Sequence, residues 1–210
     1  MKSTFIKYTL LCITLLIFSE ATKYTLNFDK LLYNSLAESL SSNQIEEILN
    51  LQQKWHWVGY VFLPVFIFLK TIIITSVIYI GVFFFNKVEV TFKVIWDSII
   101  KAEFIFLLVP ILKLIWFYFF QTNYTLEDIQ YFYPLSALNI IGYKGLDTWL
   151  LYPLQTLNLF EFAYIIYLSY QIGFLTKTNA DNGLKIVGYS YVPALLLWVT
   201  VVMFFTLNYS

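Results

Sequence analysis

The chain has one cysteine, one histidine, seven glycines, five prolines and no arginine, and only 12% of its residues are charged. Each shortage excludes something. A single thiol, Cys12, allows no intramolecular disulfide, and one Cys with one His cannot build a metal centre. Cys12 sits in an apolar run and reads as a small packing residue. All 13 basic residues are lysine, and the formal net charge is zero. Arginine is the better bidentate ligand for phosphate, so nucleic-acid binding is not expected. The glycines are scattered, and no phosphate-cradling loop is present. His56 is flanked by Trp55 and Trp57, the setting of a membrane-interface belt, and no nucleophile motif accompanies it. No catalytic, cofactor-binding or metal-ligating residue is assigned, and the expectation is a protein that is not an enzyme and needs no cofactor.

What is abundant is oil. The chain is 60% hydrophobic and 21% aromatic. Soluble domains are about 45–50% apolar and about 25% charged, so membrane-spanning runs decide the class. An apolar run from Tyr8 to Phe18 follows Lys2 and Lys7 and precedes Ser19-Glu20-Ala21. Residues 1–21 therefore read either as a signal-peptide-like segment or as a short first transmembrane helix. A loop over 22–56 follows. A transmembrane domain then covers 57–210, with spans at about 57–85, 104–120, 149–175 and 186–207. The third span is short and is able to borrow its start from the amphipathic stretch Phe92 to Ala102. Pro64, Pro110, Pro153 and Pro193 fall one to a span, an ordinary feature of membrane helices. The fold class is an all-α polytopic transmembrane bundle with amphipathic helices in its outer loops.

Lysine placement sets the orientation. Lys2, Lys7, Lys87, Lys93, Lys101, Lys177 and Lys185 fall on one side, against Lys23, Lys30, Lys54 and Lys144 on the other. The excess places the N-terminus inside and the C-terminus outside. Lysine-only usage with abundant Phe, Ile, Tyr and Asn suits an AT-rich genome, hence a bacterial inner membrane. The outer loop carries two helical stripes. One includes Leu32, Leu36 and Leu40, and the other Ile45, Ile48 and Leu49, with Asn43 expected as cap and Glu46 at the third position. These six residues are the candidates for partner contact, either with lipid or with another integral membrane protein. In the second outer segment, Thr125 and Asp128 have capping-box spacing, and Pro134 closes the helix they start. The stretch YPLSALNIIG is too short to span and too apolar for open water, so an interfacial or re-entrant helix is expected.

Four charges stand in or beside the oily runs. Lys70, Lys113 and Glu161 fall near the middles of their expected spans, and Glu103 at the edge of its own. Each isolated charge costs roughly 2.5–3.5 kcal/mol at a helix centre. A Lys70–Glu161 pair is the expected solution, with Lys113 left to snorkel or to find another partner.

From about Phe92 to Leu207 the chain resembles the Yip family, polytopic proteins named for binding Ypt/Rab GTPases. The resemblance is carried in order by TFKVIWDSIIKAEFIFLLVPILKLI, YPLSALNII, LQTLNLFEFAYIIYLSYQIGFLTKTNADNGLKIVGYSYVPALLLW and a final apolar span. It implies five helices and a cytosolic N-terminus. The long cytosolic N-terminal region of eukaryotic members is missing, which counts against a Rab-type GTPase as partner. The functional expectation is a non-enzymatic accessory or scaffold subunit that associates with other membrane proteins. The alternative is a small permease or channel subunit with Lys70, Lys113 and Glu161 lining a polar cavity.

Overall fold

A computed structural model describes residues 2–37, 39–85 and 89–209. Lys87, counted among the inner lysines, lies outside them. Every element among the described residues is helical: α1 (Lys2–Thr25), α2 (Phe28–Leu36), α3 (Ser42–Phe85), α4 (Phe92–Glu103), α5 (Leu108–Ile115), α6 (Leu126–Tyr131), α7 (Ala137–Ile141), α8 (Thr148–Thr156), α9 (Leu159–Leu175) and α10 (Ala180–Tyr209). Ser3–Thr25, Ser42–Phe85, Phe92–Phe120 and Ala180–Asn208 are long and apolar enough to cross a membrane. The chain is an all-α, polytopic membrane protein. The end where α3 hands over to α4, and α9 to α10, is here called the lower end.

Packing is densest in the lower half. Ile74, Ile78 and Val82 of α3 meet Ile95 and Ile99 of α4, Tyr164, Leu168 and Ile172 of α9, and Ile186, Val187 and Tyr191 of α10. Small residues let the backbones approach. A Cβ on Gly183 would collide with the carbonyl oxygen of Ser169, and one on Gly81 would lie 2.7 Å from the Ser190 side chain. Interfaces of this kind rely on close van der Waals contact, since lipid is as apolar as leucine. The upper end has a smaller cluster of Leu26, Phe117 and Ile129, with Leu31 and Leu114 against it.

Three boundaries differ from the sequence expectation. The third crossing starts at Phe92, because Ile95, Ile99, Ile100 and Ala102 are all fully buried against the bundle. Within it a 3-10 turn (Phe104–Leu107) precedes Pro110, whose ring and missing N–H disfavour a regular α-helix there, and a π turn (Trp116–Phe120) ends it. The second outer stripe is not a separate helix. It is the first part of α3, a 44-residue helix about 66 Å long. Its start is held by Ser41, whose N–H and hydroxyl both donate to Gln44 Oε1, rather than by Asn43 and Glu46. Finally, the stretch 149–175 is two helices, α8 and α9, separated by extended backbone at Asn158.

The amphipathic stripes largely cover the bundle top. Ile45 is buried within the chain, and Leu32, Leu36, Leu40 and Leu49 are half-buried. Only Ile48 of the six contact candidates is exposed. Ile45 is therefore unavailable to a partner: its face of α3 lies against this chain itself.

Candidate functional site: polar groups inside the bundle

Lys70 does not pair with Glu161. Its ammonium donates to Glu103 Oε2 at 2.8 Å and lies 4.5 Å from the centre of the Phe106 ring. The reason is depth. With the crossing beginning at Phe92, Glu103 is about 16 Å along the helix rather than at its edge, and α3 and α4 form a hairpin that brings it level with Lys70. The same shift carries Lys113 to the upper end, where its ammonium donates to the backbone carbonyl of Ile129. Snorkelling thus solves Lys113, with a carbonyl of the outer segment standing in for water.

Glu103 is buried and doubly held, since the hydroxyl of the fully buried Tyr164 donates to its other oxygen at 3.2 Å. The Tyr164 ring lies 5.5 Å from that of Tyr191, whose hydroxyl donates to Glu161 Oε1 at 2.6 Å. Four helices and two tyrosines thus connect the two carboxylates. Spacing could not reveal this. The signal available was only that Tyr164 and Tyr191 are tyrosines on otherwise aliphatic buried faces.

Glu161 stands in the first turn of α9, just below the break. Asn158 organises that break: its Oδ1 accepts the N–H of Glu161, while its Nδ2 donates to the carbonyls of Gln155 and Thr156. The exposed backbone is then closed from the side. Ala137 N–H donates to Leu157 O at 2.9 Å and Leu159 N–H to Leu135 O at 3.1 Å, an antiparallel bridge centred on Ser136 and Asn158. Non-helical backbone at membrane depth persists only where protein satisfies it in this way. Leu135 has φ 57°, a left-handed conformation rare for a branched side chain. The strain locates YPLS as a strap laid against the broken crossing, and α7 after it exposes Ile140 and Ile141.

Two further polar clusters flank this region. At the lower end Asp97 of α4 gathers Lys7 at 2.7 Å, Lys101 at 2.8 Å and the Thr4 hydroxyl at 2.9 Å, tying α1 to α4. At the upper end the expected capping box is present. Thr125 accepts from Asp128 N–H, and Asp128 accepts from Thr125 N–H. Tyr143 hydroxyl donates to the other Asp128 oxygen at 2.7 Å. Burial pushes the Asp128 carboxyl up, but bonds from Thr125 and Tyr143 and the charge of Lys144 hold it below the usual range. Burial and the Asp128 charge hold the Tyr143 hydroxyl at about 12. His56 faces Glu20 across 3.4 Å, and Cys12 is a buried apolar packer.

Among the described residues, no group of three or more His, Cys, Asp or Glu could hold a metal ion. Comparison with family models, with curated proteins and with solved structures finds no match.

Proposed function

We propose that this chain is a non-enzymatic accessory or scaffold subunit that binds other integral membrane proteins. The observation that carries the reading is how the charges in the bundle are used. Lys70, Glu103 and Lys113 are committed to partners inside the chain, where they fix helix depth and neighbour. Meanwhile the outside of the bundle is broad and aromatic. Leu159, Phe162, Ile166, Tyr170 and Phe174 line one exposed face of α9, and Phe62, Phe66, Leu69 and Ile73 one of α3. Such faces suit lipid and helix contact alike. The lysine asymmetry supports a bacterial inner-membrane location with the lower end cytoplasmic. A Yip-type kinship from about Phe92 belongs to the same proposal. It rests on the order of sequence elements, and a Rab-type GTPase forms no part of it. The test is purification of the tagged chain in mild detergent. A single integral membrane protein retained in constant ratio through gel filtration is expected. A chain that always elutes alone, at native expression, would count against the reading.

A second reading, a small permease or channel subunit, is favoured by the broken crossing at Asn158 beside Glu161. Interrupted helices commonly frame transport sites. Solute flux into vesicles holding the purified chain alone, abolished by Glu161→Gln, would decide for it.

A further inference from the structure

The ionic groups within the bundle leave one over. Glu161 makes no ion pair among the described residues, since Lys70 is held by Glu103. Its Oε1 accepts from Tyr191, whereas its Oε2 accepts from nothing among the described residues. No buried side-chain oxygen or nitrogen among them lacks a hydrogen-bond partner. Glu161 Oε2 is therefore reachable from outside the protein. Yet Glu161 points inward. Tyr164, Leu168 and Ile172 share its helical face and are fully buried, while Phe162, Ile166, Tyr170 and Phe174 occupy the opposite face and are exposed. An accessible oxygen on an inward face means a crevice between the helices. The groups facing it are polar from every side: Tyr191 from α10, Lys70 from α3, Glu103 from α4, and Tyr133 from the strap before α7, with Tyr152 of α8 beside Tyr133. The Lys70 side chain is itself 47% exposed, so the opening extends to it.

We propose that Glu161 is a proton-exchange site inside the bundle. Its open oxygen takes a proton from hydronium in the crevice, forming an O–H bond and leaving water, and returns it by the reverse step. Tyr191 bonds the other oxygen in both forms and holds the carboxyl in place. A metal ion is a poorer occupant, because the carbonyls at the end of α8 are already taken. Leu157 N–H bonds Pro153 O, Asn158 takes those of Gln155 and Thr156, and Ala137 N–H takes that of Leu157. The inference stands apart from the accessory reading, since a scaffold subunit needs no exchangeable proton.

The test uses the full chain in phosphatidylcholine vesicles and dicyclohexylcarbodiimide, an apolar reagent. A protonated carboxyl adds its O–H across a C=N bond of the reagent, the oxygen going to carbon and the proton to nitrogen. Peptide mass mapping is expected to find the adduct on Glu161 in acidic buffer and to find it lost in alkaline buffer. Glu103, buried and held by Lys70 and Tyr164, is expected to stay unmodified. Glu161→Gln removes the adduct; the internal comparison of Glu161 with Glu103 in the unmutated chain needs no variant to fold. An unmodified Glu161 in every buffer, an adduct indifferent to pH, or equal reaction at Glu103 would overturn the proposal.

Discussion

The lower and upper halves of this bundle are held by different physics. Below, four helices meet through glycine and serine, with β-branched and aromatic residues filling the remaining space. Above, the fifth crossing is broken, and caps, a two-rung bridge and lysine-to-carbonyl bonds replace close packing. The Lys70–Glu103 pair lies between the two. A dry core gains most from shape, because each lost contact has no substitute. A region of irregular backbone gains most from polar satisfaction, because an unpaired N–H or C=O in lipid costs several kcal/mol.

Perturbing each level separately tests that contrast. The largest effect is expected at the lower contact. Gly183→Leu forces α10 off α9 and should cost upwards of about 3 kcal/mol, read as loss of a monodisperse peak and a collapsed thermal midpoint in detergent. If it is tolerated, close backbone approach is not what holds the lower half. Next comes the pair between the halves. Lys70→Met strands a buried carboxylate and should cost about 2–3 kcal/mol, less than a fully buried pair because Lys70 is half exposed. Adding Glu103→Leu should recover much of the loss, and a double variant worse than the single would contradict an ion pair of structural role.

The upper half should answer to single hydrogen bonds. Asn158→Ala frees two carbonyls and one N–H at the break, for about 1–2 kcal/mol, with faster amide exchange confined to 135–137 and 155–161. Uniformly faster exchange throughout α10 would mean the halves are not separable. The smallest effect is expected in the outer cap, where Thr125→Ala should cost about 1 kcal/mol. That cap is also sensitive to acid. Asp128 has a folded-state pKa below its unfolded value, so its contribution is complete above the usual carboxylate range. It is lost as pH falls through the lower folded value. Amide protection over 126–143 should therefore drop in acid, and Asp128→Asn should remove the pH dependence together with part of the protection.

The local features legible in the sequence were those that depend on near neighbours in the chain. Thr125 with Asp128 announces a capping box because both partners lie within one turn. The YPLS element was recognisable as neither loop nor span because its length and oiliness disagree. Glu103 was placed at a helix edge because the stretch before it is amphipathic, and amphipathicity looks the same whether the polar face meets water or, as Asp97 does, meets Lys7 and Lys101. That one misplacement misassigned the partner of Lys70.

By itself the sequence determined that this chain enters a membrane, how many apolar segments it has, and which few ionic groups must find company there. Those follow from composition and run length, which act residue by residue through transfer free energy. Only the tertiary structure decided which carboxylate Lys70 takes, where the fourth long segment breaks, and that Glu161 keeps an oxygen free. Those depend on relative helix depth, and depth is set by where glycine and serine let two backbones touch, residues far apart along the chain.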